Sequence, residues 1–171
     1  DGRELFAKEA DHIDSVNVST PDHMHGPIGM AALTLGKHMF GEKPLAQNLW
    51  ECRQLMLRAR EKKVMTQMGI QISSTFAERH AVALIQAGAI GKVKEAHTFS
   101  NKTWGDMDPV PQNEDPVPAN LNWDQWLGPA PKVPYNRNRT FYNFRWFYDY
   151  SGGQITNFGV HYMDMLRWAL G

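Results

Sequence analysis

Short β-rich runs alternate with helix-forming segments along the first seventy residues, and this alternation restricts the fold more than any other feature. Residues 13–20 and 64–68 are β-rich, and a shorter apolar run lies between them at 38–40. Apolar residues recur at helical spacing in residues 28–35, and a capped helix is predicted over about 48–62. A β-α-β-α-β order implies right-handed crossovers, so we predict an α/β fold with parallel strands.

The second half of the chain follows a different pattern, with one helix signal, one strand signal and a long loop. Thr75 with Glu78 is a capping-box pattern, and the helix that it opens is expected to end at Gly88. Residues 93–101 are predicted to form a strand of mixed burial. Most of the ten prolines lie in residues 109–134, and two tryptophans there predict a packed loop, because disordered segments are poor in aromatic residues.

Charge and composition exclude several classes of partner. Lys plus Arg and Asp plus Glu both number 18, so no global field favours nucleic acid or an anionic membrane surface. The single cysteine, Cys52, excludes an internal disulfide framework and a cysteine-based zinc site. No apolar stretch is long enough to cross a bilayer. We therefore expect neither a nucleic-acid nor a membrane partner.

The first candidate site is the loop between the first strand and the following helix, Thr20-Pro21-Asp22-His23-Met24-His25. In parallel α/β sheets ligands lie beyond the carboxyl ends of the strands, and the next helix offers free N–H groups. This loop is therefore placed to contact a cofactor, and an Asp- and His-rich surface turn is the alternative. Two histidines in one loop could suggest a metal, but no carboxylate or cysteine cluster accompanies them, so we predict no metal site.

The second candidate site is Gly41-Glu42-Lys43-Pro44, at the exit of the second strand. Gly41 brings the chain out of a buried strand, and Pro44 restricts the backbone that follows. A lysine held at this point is partly desolvated, which lowers the cost of losing its proton. The alternative is a solvated Lys-Glu turn, since this tripeptide by itself is common.

The third candidate site lies on a helix predicted over residues 154–170, which Gly152-Gly153 precede. Asn157, His161 and Asp164 are spaced i, i+4 and i+7, so they share one helical face. The functional interpretation is a polar site around the histidine. The alternative is a buried histidine that is hydrogen-bonded to a backbone carbonyl.

Aromatic rings are dense in residues 141–150, directly before that helix. Sugars bind against aromatic faces, with arginine and asparagine supplying hydrogen bonds, so Arg145 and Trp146 are candidate substrate contacts. Plain core packing is the usual fate of such a run and remains the alternative.

These segments, in this order, resemble the Gfo/Idh/MocA family of nicotinamide-dependent sugar and polyol oxidoreductases, and the resemblance covers nearly the whole chain. It implies that Lys43 contacts both the substrate oxygen and the cofactor, that Glu42 positions the lysine or the ribose, and that His161 is the catalytic acid/base. The expected cofactor contacts are Thr20, Pro21, His23, His25, Glu42, Lys43 and Pro44.

One residue departs from the family pattern. Many members carry aspartate where this chain has Asn157. An amide can orient a hydroxyl or an imidazole, but it cannot relay a proton or stabilise imidazolium by charge. Asn157 is then an orienting member of the catalytic set, and proton transfer rests on His161 and Lys43.

The fold class that follows is α/β, with two parts. Residues 1–70 are expected to form the distal part of a Rossmann-type nucleotide-binding domain. Residues 71–171 are expected to begin an α+β substrate and oligomerisation domain with an open sheet. Because the first residue is Asp1 and no glycine-rich phosphate loop is present, we expect an internal fragment that lacks the N-terminal loop and the C-terminal part.

The expected function is hydride transfer between NAD or NADP and a secondary alcohol of a sugar or cyclitol. The substrate contacts implied are Arg145, Trp146, Asn157 and His161. Two alternatives stay open: an NAD-dependent glycosidase of the same architecture, and a non-catalytic sugar-binding relative. We expect a homo-oligomer when the protein is full length, and cytoplasmic residence unless a missing N-terminus carries an export signal.

Overall fold

A parallel sheet forms the first half of the protein in the computed structural model, which describes residues 2–100 and 113–171. Its strands are β1 (Ser15–Val18), β2 (His38–Glu42) and β3 (Thr66–Gly69), in the order β1-β2-β3. Both pairs are parallel, with Val16 opposite Met39 and Met39 opposite Thr66. The predicted parallel alternation is therefore confirmed, and the loops after all three strands meet at one edge of the sheet.

The helices connect and flank these strands. In chain order they are α1 (Gly2–Glu9), α2 (His25–Thr34), α3 (Leu49–Lys62), α4 (Phe76–Gln86), α5 (Trp123–Leu127) and α6 (Val160–Leu170). A π-helical turn over Ile155–Gly159 leads directly into α6. The α/β class predicted from the sequence is confirmed. Among the described residues, no helix is both long enough and apolar enough to cross a lipid bilayer.

Local sequence signals fix the ends of α3. The Asn48 side chain accepts a hydrogen bond from the Glu51 backbone N–H at 2.9 Å, which caps the first turn. The Glu51 carboxylate in turn accepts from the Gln47 N–H at 3.0 Å. Lys63 ends the helix in the left-handed conformation, with φ of 54°. The observed bounds agree with the capped helix predicted over about 48–62.

Two clusters of buried side chains stabilise the two halves. Apolar residues of β1, β2, α2, α3 and the turn between β2 and α3 form the first, namely Val18, Leu33, Met39, Ala46, Leu55 and Ala59. The second is mainly aromatic and consists of Trp123, Leu127, Ala130, Tyr135, Phe144, Phe147 and Tyr150. Part of the aromatic run at 141–150 is therefore core. The proline-rich loop packs through Trp123, Leu127 and Ala130, whereas residues 113–122 are mostly exposed.

Two local expectations for the second half are wrong. Residues 93–100 form no strand, and Asn101 and residues 109–112 lie outside the described part of the chain. A strand needs a neighbouring strand to pair with, and no described residue supplies one for this segment. Thr75 precedes α4, but its side chain makes no capping hydrogen bond. The helix forms without it, because its stability comes mostly from packing.

Contacts between the two halves determine where the later helix lies. The His23 backbone N–H donates to the Tyr150 carbonyl at 3.1 Å. The Ser151 hydroxyl donates to the buried Asp22 carboxylate at 2.5 Å, and the Gln47 side-chain amide donates to the Tyr148 carbonyl at 2.9 Å. These bonds hold the chain that leads into the π-helical turn against the carboxyl edge of the sheet.

Removing the cap of α3 should lower the stability of the protein. We expect Asn48→Ala to cost about 1 kcal/mol of unfolding free energy, because the Glu51 N–H loses its acceptor. Asn48→Ser is the matched control, since its hydroxyl restores the acceptor. Urea unfolding measures both variants, and equal midpoints for the alanine and serine variants would contradict the capping role.

Candidate active site

Lys43 lies at the carboxyl edge of the sheet and reaches across to the second half of the chain. It directly follows the last residue of β2, and its side chain is half-buried. Its Nζ donates to both the backbone oxygen and the side-chain oxygen of Asn157, each at 2.8 Å. An ammonium group has three N–H donors, so one remains for a further acceptor. The lysine is held by the protein rather than left in a solvated turn.

The environment of Lys43 favours loss of its proton. Burial lowers the pKa of the ammonium group, because the charged form is desolvated. The positive charge of Arg145 lowers this pKa further, whereas the negative charges of Asp22 and Glu42 oppose the change. The net pKa is below the ordinary lysine value. The Lys43 amine can therefore stabilise a nearby negative charge, and it loses its proton more readily than a solvated lysine does.

His161 is buried in the first turn of α6, with 5% of the residue exposed. Burial lowers the pKa of its imidazole, and the positive charge of Lys43 lowers it further. The negative charges of Asp164 and Glu42 act in the opposite direction. Its Nδ1 is buried and has no hydrogen-bond partner among the described residues. A neutral imidazole at neutral pH can accept a proton, which is what a general base must do.

Asn157 lies inside the π-helical turn Ile155–Gly159 and is buried. Its side-chain oxygen accepts from Lys43, while its Nδ2 is buried without a partner among the described residues. The wider π turn changes the regular spacing that the sequence predicted for this face. Asp164 is half-buried and accepts a hydrogen bond from the Ser73 hydroxyl. Asn157 and His161 therefore face the site, and Asp164 contributes only its charge.

The glycines before the π turn have a local structural reason. A Cβ on Gly152 would overlap the Thr156 side chain, whose hydroxyl accepts from the Gly152 N–H at 3.0 Å. Gly153 has φ of +63°, a conformation that favours glycine. The Gly152-Gly153 pair therefore allows a sharp approach to the turn that carries Asn157.

Residues 20–25 take several different positions. The Thr20 side chain is exposed and Pro21 is half-buried, so both are accessible at the sheet edge. His23 is 1% exposed, and its Nε2 donates to the Trp126 carbonyl at 2.9 Å. His25 is equally buried, with both ring nitrogens on backbone carbonyls. Both histidine rings point into the protein, so direct cofactor contact by these rings is not supported by their positions.

The remaining predicted contacts lie around Lys43. The Glu42 carboxylate lies over Gly69, where an added Cβ would come within 2.9 Å of it. Glu42 acts on Lys43 and His161 through its negative charge, which raises the pKa of both. Pro44 is buried, follows a cis peptide bond, and presents its carbonyl oxygen to His25.

Arg145 and Trp146 are half-buried beside the site. The Arg145 guanidinium lies over the Tyr142 ring at 4.3 Å and over the Phe144 ring at 4.7 Å. It also donates to the Tyr142 carbonyl at 3.1 Å. The Trp146 ring lies edge-on to Tyr142, with centroids 6.3 Å apart. Both residues therefore retain exposed surface that a ligand could contact, while neighbours in the same run are core.

Sequence reasoning missed the roles of Asp22 and Ser151. Asp22 is 8% exposed and Ser151 3% exposed, and their 2.5 Å hydrogen bond joins the two halves beside Lys43. Asp22 lies in the loop that the sequence identified, but nothing local shows that its partner is 129 positions away. The only sequence signal for the role of Ser151 is its position directly before Gly152-Gly153.

Unpartnered polar atoms in the described part of the chain leave this site able to bind a polar ligand. Two buried polar atoms, Asn157 Nδ2 and His161 Nδ1, have no partner among the described residues, and buried polar groups normally have one. Thr20, Pro21 and Lys43 line the sheet edge where a nucleotide cofactor lies in parallel α/β folds. Among the described residues, no three His, Cys, Asp or Glu side chains are grouped to hold a metal ion.

Family models match both halves of the chain. Residues 1–70 match the oxidoreductase family model for the NAD-binding Rossmann fold. Residues 85–171 match the oxidoreductase family model for the C-terminal alpha/beta domain. The two matches agree with the parallel sheet of the first half and with the α6 region of the second.

Curated relatives share part of this sequence. A 1,5-anhydro-D-fructose reductase from Ensifer adhaerens is 34% identical over 87 residues, which cover 51% of this chain and 26% of the relative. A glycosyl hydrolase family 109 protein from Shewanella sp. (strain ANA-3) is 32% identical over 91 residues, which cover 53% of this chain and 19% of the relative. The matched region thus spans about a quarter or less of either relative.

Solved structures are similar as well. An inositol dehydrogenase homolog from Azotobacter vinelandii, complexed with NADH and myo-inositol, superposes with a TM-score of 0.52 at 34% identity. That match covers 54% of this chain and 25% of the other. An oxidoreductase domain protein from Kribbella flavida superposes with a TM-score of 0.68 at 25% identity, covering 100% of this chain and 38% of the other.

The charge of Lys43 should be visible in the titration of His161. We expect the His161 pKa in the free protein to lie below the ordinary histidine value of about 6.5, and Lys43→Met to raise it. Burial remains in the variant, so the pKa should stay below the ordinary value. NMR titration of the imidazole measures both.

Lys37→Met is the matched control for that titration. It removes the same charge just before β2, at a position about 20 Å from Lys43 along the strand. We expect it to leave the His161 pKa unchanged. An identical His161 pKa in the wild type and in Lys43→Met would show that the two side chains do not share one site.

Proposed function

The chain belongs to the Gfo/Idh/MocA oxidoreductase family, and on that premise we propose that it carries the active site of an NAD(P)-dependent oxidoreductase. The proposed reaction moves a hydride between the nicotinamide and a secondary alcohol of a sugar or cyclitol. The observation that carries the proposal is the bonded pair Lys43 and Asn157 beside His161, which is buried and whose pKa burial lowers. Two unpartnered polar atoms in this group support a polar ligand there.

Each residue has a distinct task in the proposed reaction. The bound nicotinamide supplies the acceptor or donor of the hydride. A ring nitrogen of His161 takes the proton of the substrate hydroxyl, because its lowered pKa keeps it neutral beforehand. The N–H of Lys43 that is not used by Asn157 stabilises the oxygen as it becomes negative. In the reverse direction, His161 returns the proton as the ketone is reduced.

Asn157 acts as an orienting residue in this proposal. Its backbone oxygen and its side-chain oxygen both accept from the Lys43 amine. Its Nδ2 has no partner among the described residues and is available to donate to a substrate oxygen. An amide carries no charge, so it leaves the pKa values of Lys43 and His161 low. A carboxylate at this position would raise both.

The proposed substrate is a sugar or cyclitol. Support comes from a relative that is named a 1,5-anhydro-D-fructose reductase and from a similar structure that is complexed with myo-inositol. Arg145 and Trp146 are half-buried and provide cationic and aromatic surface that such a substrate could contact. NAD is the first cofactor to test and NADP the second. Homo-oligomerisation and cytoplasmic residence stay predictions.

A glycosidase that uses bound NAD is the second candidate. It is favoured by the similarity to a glycosyl hydrolase family 109 protein. Incubation with sugars and with aryl glycosides separates the two. Accumulation of reduced cofactor supports the oxidoreductase, whereas release of the aryl group without net cofactor reduction supports the glycosidase.

Loss of the His161 imidazole should stop proton transfer. In the full-length protein, we expect His161→Ala to lower kcat by about a hundredfold or more, since general acid–base catalysis contributes a factor of about 10²–10⁴. Cofactor affinity should change little. His97→Ala removes an exposed histidine and is the control. Steady-state reduction of NAD or NADP with a sugar and cyclitol panel measures the rates, and unchanged turnover in His161→Ala would remove this residue from the mechanism.

A charge at position 157 should move the pH profile without abolishing activity. We expect Asn157→Asp to retain the bond to Lys43 and to shift the profile of kcat to higher pH, because the carboxylate raises the pKa values of Lys43 and His161. Asn157→Leu should lose most activity, since the lysine loses its side-chain acceptor. Asn138→Asp adds the same charge at an exposed position as control. A profile identical to wild type in Asn157→Asp would contradict the proposed coupling.

A further inference from the structure

His25 lies between the two loops that form the sheet edge of the candidate site. It is the first residue of α2 and follows the 3-10 turn Asp22–Met24. The residue is 1% exposed, so it has almost no surface for a ligand. Its ring reaches the loop after β1 on one side and the turn after β2 on the other. The side chain is therefore an internal link between these loops.

Both ring nitrogens of His25 face backbone carbonyl oxygens. Nδ1 lies 2.6 Å from the Pro44 oxygen, and Nε2 lies 2.7 Å from the Thr20 oxygen. A carbonyl oxygen only accepts hydrogen bonds, and a neutral imidazole carries a single N–H. In the neutral ring, one of these short contacts would bring a nitrogen lone pair against oxygen lone pairs. Only the imidazolium form donates at both nitrogens.

We propose that His25 is a buried imidazolium whose two N–H groups fix the turn after β2 to the loop after β1, and that it thereby positions Lys43. The assignment to His25 of a role in catalysis rests on the proposed function, because that function gives Lys43 its importance. The protonation state is independent of it. His25 is in this sense a positioning residue that acts through Lys43.

The link reaches Lys43 through one residue. Pro44 follows the lysine directly, so holding the Pro44 carbonyl restrains the backbone from which the Lys43 side chain extends. The Lys43 amine must then meet two oxygens of Asn157 at 2.8 Å. Misplacement of a catalytic group by about 1 Å can cost about a hundredfold in rate. The position of the turn is therefore a requirement of the site.

Charged groups on the surrounding elements act on His25 in both directions. The buried carboxylate of Asp22 lies on the preceding turn, and the Glu51 carboxylate from α3 lies against Gly26, the next residue. Both favour the cationic ring. The positive charges of Lys43 and of a protonated His23 oppose it. The two hydrogen bonds to carbonyl oxygens also favour the cationic ring, because bonds to the charged form stabilise that form.

His23 provides an internal comparison for the protonation state. It is as deeply buried as His25, but its Nε2 alone donates to a carbonyl, that of Trp126. Its Nδ1 has no partner among the described residues, and burial lowers its pKa. Although the two histidines are only two residues apart, their different ring partners predict a different number of ring protons on each.

The first test is NMR of nitrogen-labelled protein as encoded by its gene. At a pH of about 7.5, above the ordinary histidine value of about 6.5, we expect protons on both ring nitrogens of His25 and on one nitrogen of His23. Disappearance of one signal set in His25→Gln assigns the residue. A single ring proton on His25 overturns the proposal. Once the signals are assigned, the wild-type spectrum decides this whether or not the protein turns over any sugar.

The second test is a double-mutant cycle between His25→Gln and Lys43→Ala, read in both kcat/KM and NAD affinity. If His25 acts through Lys43, His25→Gln should cost about ten- to a hundredfold in kcat/KM alone and far less when Lys43 is already alanine. NAD affinity should show coupling of the same sign. Independent, additive losses in both measurements overturn the positioning role.

His38→Gln is the matched control for the cycle. His38 opens β2 and is exposed, and its Nδ1 accepts from the Met65 backbone N–H at 2.9 Å. This variant also removes a histidine-to-backbone bond at the same strand, but at the opposite end from Lys43. We expect unchanged kcat/KM. Absence of all turnover in the wild type would count against the proposed function, while the ring protons and the coupling in NAD affinity still decide the proposal on His25.

Discussion

The hydrogen bonds from Lys43 to Asn157 are the contact on which the candidate site depends. The two residues are 114 positions apart, and both oxygens of Asn157 accept from one amine. This contact places the lysine against the π-helical turn, and the charge of the lysine then acts on His161 at the start of α6. The link between Asp22 and Ser151 supports it from the same sheet edge. Together these bonds turn two separate segments into one polar site.

Burial is the largest influence on the pKa of both titratable groups of that site. Desolvation lowers the pKa of Lys43 and of His161, and the positive lysine lowers the histidine pKa further. The neutral amide of Asn157 does not counteract this, so the opposing charges come from Asp22, Glu42 and Asp164. A neutral imidazole beside a hydrogen-bonded amine is suited to removing a proton from an alcohol. The residue that departs from the common family pattern is thus consistent with the same chemistry.

Local signals in the sequence predicted much of the first half and less of the second. The bounds of α3 follow from Asn48, because its side chain caps the neighbouring backbone and needs no distant partner. The prediction of a strand over residues 93–101 is wrong for residues 93–100, because strand formation depends on pairing with another strand. The π turn around Asn157 was also missed. The apolar and polar pattern of residues 154–170 indicates a helix, but it does not reveal a local change of hydrogen bonding.

The sequence by itself determined the parallel α/β order, the position of Lys43 after β2 and the helix that carries His161. These features depend on periodicity and on neighbours within a few positions. Only the tertiary structure decided that Lys43 bonds to Asn157 and that the His25 ring lies between two backbone carbonyls. The physical reason is range: a capping bond joins residues that are already adjacent, whereas burial, pKa and the partner of a side chain are set by segments that folding brings together.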